Sequence, residues 1–194
     1  DSEGEGAFFR RGPGGTLLGP GTAARNDIFA AESRGMSVRL ARKILSNCPG
    51  IGPADVTHVV TVSCTGFYNP GPDYYIVREL GMSDATQRYH LGFMGCYAAF
   101  PALRMAAQFC EADPSAVVLV MCVELCTLHL QLTGSEDNLL ANSLFADGAA
   151  AAIVSARAPS PGASACRLGE FRSALVPAGA QDMTWSVGDQ GFDI

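Results

Sequence analysis

The chain has 194 residues, 48% of them hydrophobic and 16% charged, which is enough apolar matter for one packed domain and too little polarity for a disordered one. Its formal net charge of -6 argues against nucleic-acid binding, since a duplex-binding face needs an excess of Lys and Arg. No apolar run reaches the roughly 18 to 20 residues that span a bilayer, and the N-terminus "DSEGEGAFFRRGPGG" holds no hydrophobic signal core.

Residues 1–23 are rich in Gly and Pro without an apolar period, and predict a loop or arm. The stretch "RNDIFAAESRGMSVRLARKILSN" places Met36, Leu40 and Ile44 at four-residue steps, which predicts an amphipathic helix stopped at Asn47-Cys48-Pro49-Gly50. "DVTHVVTVSC" is apolar at nearly every position, as a central parallel strand is. A turn at "TGFYNPGP" and a short helix "DYYIVREL" with Gly81 behind it follow. Then come strand "RYHLGF", a helix over 96–110, strand "AVVLVMCVE", helix "DNLLANSLF" and strand "GAAAAIVSA". This alternation predicts crossover connections and an α/β fold with a mainly parallel sheet. "CRLGEFRSALVP" reads as a further strand, and "TWSVGDQGFDI" opens an element of its own. The divisions expected are an arm over 1–23, an α/β unit over 24–160 and the start of a second unit over 161–194.

Seven cysteines, at 48, 64, 96, 110, 122, 126 and 166, match no zinc-ligand spacing. Most sit in apolar runs, where a thiol acts as a small hydrophobe, and the chain reads as reduced and cytoplasmic. In parallel α/β sheets, sites form at the carboxyl ends of strands. Three such ends carry candidate groups: Cys64-Thr65, Cys96 and Glu124-Leu125-Cys126. Cys96 follows a strand and Gly95 and opens a helix, where unpaired N–H groups favour a thiolate and can hold an oxyanion. Packing under a close helix–strand contact explains a cysteine there equally well. His58 and His90 lie inside strands and read as core histidines, while His129 fits a pocket or a surface.

The stretches "HVVTVSCTGFYNPGPDYYIVRELGM", "RYHLGFMGCYAAFPALRMA", "VVLVMCVELCTLHLQ" and "NSLFADGAAAAIVSA" occur in the order found in the type III polyketide synthases. From about residue 22 onward the chain resembles this chalcone and stilbene synthase family, its bacterial members above all. The resemblance implies a thiolase-like fold, layered α/β/α/β/α in the whole protein, of which this chain is mostly the first half. It implies that Cys96 is the acyl-carrying nucleophile, that Phe145 and Phe192 are gatekeepers, and that Cys64, Thr65, Cys126 and His129 line the pocket of the growing chain. Asn69 would cross a homodimer interface into the partner's pocket, with the helix at 96–110 and the strand at 116–123 near the axis. The reaction implied is decarboxylative condensation of malonyl-CoA onto an acyl-CoA starter, then cyclisation, with no metal and no cofactor beyond these thioester substrates.

The family's catalytic histidine and asparagine are expected beyond residue 194, so these residues alone would not complete the reaction. The face meant for the second half would be bare and apolar. Two other readings compete: a ketosynthase III-like condensing enzyme of fatty-acid synthesis, which shares the cysteine but not "TGFYNPGPDYY" or "TWSVGDQGF", and a non-catalytic half that only binds or dimerises.

Overall fold

The computed structural model describes residues 8–193; the first seven residues of the expected arm lie outside them. Within the arm, β1 (Arg10–Arg11) and β2 (Leu17–Leu18) pair antiparallel. Helix α1 (Thr22–Ser46) follows and ends at Asn47, just before Pro49. The central sheet has the order β4 (Gln87–Gly92), β3 (His58–Ser63), β5 (Val117–Glu124), β6 (Gly148–Ser155). Strand β3 is parallel to β4 and to β5 and is buried along its whole length, as its continuous apolar run demands.

Successive residues of β3 and β5 point to opposite faces, and each face receives its own cover. Val59, Leu119 and Met121 meet Ala41 and Leu45 of α1 and Ile76 and Val77 of α2 (Pro72–Leu80). Val60, Val62, Val118 and Val120 meet Ala102, Ala106 and Cys110 of α3 (Ala99–Ala112). The alanines of α3 let that helix approach the sheet closely, and each buried valine contributes about 1.5–3 kcal/mol. Helix α2 ends at Gly81, whose φ of 65° is the left-handed cap that glycine adopts without strain.

Strand β6 departs from the crossover expectation. It runs antiparallel to β5, with Glu124 opposite Gly148. The connection through Cys126–His129 and α4 (Glu136–Leu144) therefore leaves and returns at the same end of the sheet. Helix α4 is not a crossover helix; it stands over the carboxyl ends of the parallel strands. The strand expected over 166–177 is not formed: residues 163–176 run irregularly, with Leu168, Leu175 and Val176 exposed. A strand needs a neighbour to satisfy its backbone, and none is offered there among the described residues. "TWSVGDQGFDI" instead gives a hairpin, β7 (Ser186–Gly188) and β8 (Gly191–Asp193). Of the apolar face expected to be bare, Leu139, Leu140 and Leu144 on α4 and Phe100 on α3 are exposed.

His58 is buried and stacks on Phe109 at 4.5 Å, whereas His90, expected in the core, is on the outer strand β4 and exposed, bonding Thr61 Oγ1 at 2.9 Å. Burial lowers the pKa of His58 and of His129, with Asp113 opposing at His58, and with the Thr65 carbonyl bond opposing and Arg25 assisting at His129. Both therefore bind a proton more readily unfolded than folded. Stability should be full above the ordinary histidine value of 6.5 and fall as pH drops below it. Thermal midpoints at pH 7 and pH 5 check this: the lower value is expected at pH 5, and equal values contradict it.

Candidate active site

The carboxyl ends of β3, β4 and β5 lie on one side of the sheet, and each delivers part of one site. After β3 come Cys64 and Thr65; after β5 come Leu125, Cys126 and, in a short 3-10 turn, His129. After β4 the chain passes Phe93, held at φ 30°, and Gly95, at φ 81°. A side chain at position 95 would be strained, so the glycine is what lets the chain turn toward α3. Cys96 opens that turn, which Ala98 N closes onto Gly95 O at 3.2 Å. The helix proper begins at Ala99, three residues later than the sequence predicts, because the chain must first complete this turn. Cys96 is exposed, not packed under the helix.

Glu124 organises the floor. Its carboxylate accepts from Cys64 N at 3.0 and 3.1 Å, from Ser63 Oγ at 3.2 Å and from Thr65 Oγ1 at 2.6 Å. Thr65 Oγ1 in turn accepts from Leu125 N at 2.9 Å, and His129 Nε2 donates to Thr65 O at 2.6 Å. Burial, assisted by the charge of Glu124, pushes the Cys64 thiol up to about 12 and the Cys126 thiol up to about 11. Cys64, Cys96 and Cys126 follow the carboxyl ends of the adjacent parallel strands β3, β4 and β5. At neutral pH Cys64 and Cys126 are thus uncharged.

Beside them, Thr65, Cys126, His129, Phe145 and Phe192 line one cavity of ≈ 60 Å³, with Trp185 and residues of α4. Phe192 is buried and stacks on His129, centroids 4.0 Å apart and planes within 14°. Phe93 meets Phe192 edge-on at 5.4 Å, and Trp185 stands between Phe192 and Phe145 at 6.4 and 5.8 Å. A polar clasp holds the hairpin that carries Phe192. Gln131 Nε2 donates to Phe192 O at 3.3 Å and Thr22 Oγ1 accepts from Gly191 N at 2.8 Å, while Arg25 donates to Leu128 O and Leu130 O on either side of His129. Of the candidate site residues, Cys64 and Cys96 stand at the ends of β3 and β4 and are not in the cavity lining, and Asn69 lies elsewhere. It lines a hollow of ≈ 360 Å³ with Phe29, Tyr68, Asp73, Arg88 and His90. Glu124 was visible as a strand end, but its role as acceptor was not. Phe93, Gln131 and Trp185 gave no local signal, since their partners are far away in sequence.

Thiol reactivity follows from this arrangement. Burial raises Cys110 and Cys122 as well as Cys64 and Cys126, whereas Cys96 is open and sits at a helix entry. Iodoacetamide at neutral pH, read by peptide mapping, should modify Cys96 first and the four raised thiols last. Faster labelling of Cys64 or Cys126 would contradict the arrangement.

The model of the chalcone and stilbene synthase N-terminal domain matches residues 15–158. The chain belongs to the chalcone and stilbene synthase family. It is 33% identical over 178 residues to 1,3,6,8-tetrahydroxynaphthalene synthase of Streptomyces griseus, covering 91% of this chain and 46% of the relative. It superposes on the crystal structure of the corresponding Streptomyces coelicolor enzyme, described as a bacterial type III polyketide synthase, with a TM-score of 0.82 and 30% identity over 90% of this chain and 49% of that one. Germicidin synthase from Streptomyces coelicolor, also a type III polyketide synthase, gives a TM-score of 0.82 at 27% identity over 89% and 44%. The chain therefore spans about half the length of the curated relatives it matches. The family is that of type III polyketide synthases, with their thiolase fold, and the ketosynthase reading is not favoured.

Proposed function

We propose that Cys96 carries an acyl group taken from an acyl-CoA, and that the protein extends it with malonyl-CoA and cyclises the product. The observation that carries this reading is the open thiol of Cys96 at the carboxyl end of β4, next to the strand ends of β3 and β5 that lead into a cavity lined by Cys126 and by Phe145, Trp185 and Phe192. The Cys96 thiolate attacks the starter thioester, and coenzyme A leaves as its thiol after taking up a proton. Malonyl-CoA loses carbon dioxide to give an enolate, whose carbon attacks the acyl carbonyl and releases the Cys96 thiolate. Phe145 and Phe192 exclude water that would protonate the enolate or hydrolyse the thioester. Cys64, Thr65, Cys126 and His129 shape the space for the growing chain. The chain spans about half of its relatives' length, and the histidine and asparagine implied by the family resemblance are assigned to the other half. The full-length protein, given malonyl-CoA and a panel of acyl-CoA starters, should form polyketide products detectable by mass spectrometry; none from any starter would defeat the reading.

We also propose a homodimer, working in the cytoplasm where Cys96 stays reduced. The strand at 116–123, expected near the two-fold axis, lies inside the sheet, whereas β4 has a free edge among the described residues. Beside that edge the loop with Phe67, Asn69 and Pro70 is exposed. An unpaired edge and an exposed Phe67 favour a self-complementary contact, with Asn69 reaching the partner's site. Light scattering of the full-length protein at micromolar concentration should give the dimer mass; a monomer mass would contradict the proposal.

A further inference from the structure

Among the described residues, two buried side-chain nitrogen or oxygen atoms lack a hydrogen-bond partner: Ser37 Oγ, inside α1, and His129 Nδ1. The second belongs to a residue that lines the cavity and is only 7% exposed. Its protonation is set by its neighbour. A backbone carbonyl can only accept, so the 2.6 Å bond from Nε2 to Thr65 O puts the ring hydrogen on Nε2 and leaves Nδ1 an acceptor. The Phe192 ring, stacked at 4.0 Å, and the Thr65 bond together hold the imidazole against reorientation.

Five other side chains of the cavity already donate elsewhere. Thr65 donates to Glu124, Thr127 to Asp147 and Gln131 to Phe192 O. Asn138 donates to Thr133 and Asn142 to Gln131 O. A buried acceptor without a donor is destabilising, and a ligand that brings a donor recovers the loss. A chain built of β-ketoacyl units carries only acceptors while it stays in the keto form. It offers donors once a unit enolises or closes to a phenol.

We propose that His129 Nδ1 accepts the hydroxyl of an enolised or phenolic unit, so that this cavity distinguishes hydroxyl-bearing from keto or ether forms of its ligand. The inference rests on reading the cavity as the polyketide pocket. His129 is here a specificity-determining contact and takes no proton from the ligand.

The test uses the full-length protein with nitrogen-labelled histidine; the chain contributes three histidines to assign. The probes are resorcinol and resorcinol dimethyl ether, which share a ring and differ in donors. Resorcinol should move the Nδ1 resonance of His129 and bind about tenfold more tightly than the ether, the worth of one good hydrogen bond. His129→Gln, which keeps a donor and an acceptor, should retain most of that preference, and His129→Leu should bring it below about twofold. Far-ultraviolet circular dichroism and the thermal midpoint report whether a variant keeps its fold. The wild-type resonance decides without any variant. An Nδ1 signal unmoved by resorcinol, or already that of a water-bonded nitrogen in the free protein, overturns the inference. Product formation from malonyl-CoA tests the pocket reading separately: product with an unresponsive Nδ1 defeats the inference alone, and a responsive Nδ1 without product defeats the polyketide reading and leaves a phenol site.

Discussion

Cys96→Ala should lower product formation by the full-length protein about a thousandfold or more, because no other group on this surface can carry the acyl chain. The alternatives fail for stated reasons. Cys64 and Cys126 lie nearby, but burial and the charge of Glu124 hold their thiols at about 12 and about 11, so almost none is thiolate at neutral pH. Cys166 is exposed but sits in the irregular segment after β6, not at the carboxyl end of a parallel strand. Because Cys96 is exposed, its replacement leaves no buried void, and the thermal midpoint should stay close to wild type. The assay is product formation per folded protein, with folding checked by circular dichroism and the thermal midpoint. A variant that keeps a tenth of the activity would contradict the assignment.

Glu124→Ala should be the most damaging change to the floor of the site. One carboxylate satisfies the backbone N–H of Cys64 and the hydroxyls of Ser63 and Thr65. Ser63 and Thr65 are buried, and each buried donor left without an acceptor is destabilising by about 1–3 kcal/mol. Relaxation among neighbours recovers part of this, so a loss of about 3 kcal/mol in denaturant unfolding is expected. Glu124→Gln separates charge from bonding. It keeps an acceptor and should lose less stability, yet it removes a charge that helps to raise Cys64, Cys122 and Cys126. These three thiols should alkylate faster in Glu124→Gln than in wild type. An unchanged rate together with unchanged stability would show that Glu124 does not organise the floor.

The seam around Cys96 was legible because its signals are local. A strand ends at Gly92, a glycine supplies the positive φ at Gly95, and a helix rich in alanine packs behind it. The same holds for β3, whose unbroken apolar run matches burial on both faces, and for the stops of α1 and α2. Family likeness pointed to Phe145, His129 and Phe192, and the structure brings these to one cavity although Phe192 lies more than sixty positions from His129. Distance along the chain hid the rest. Nothing near Glu124 says that three donors from the end of β3 and the residues after it will converge on it, and nothing near Gln131 says that it will hold the β8 backbone. The direction of β6 was hidden as well, since a helix between strands usually crosses over, and only the pairing of Glu124 with Gly148 reveals that α4 returns at the same end. The segment 166–177 has the composition of a strand, but composition cannot supply a neighbouring edge.

The central claim, that Cys96 is the acyl carrier, is tested most directly by incubating the full-length protein with an acyl-CoA in the absence of malonyl-CoA and mapping the adduct by peptide mass spectrometry. The result expected is one acyl group, removable by hydroxylamine as a thioester is, on the peptide containing Cys96 and on no other cysteine peptide. Acylation of Cys64, Cys126 or Cys166 with Cys96 unmodified, in protein that still forms product, would contradict it.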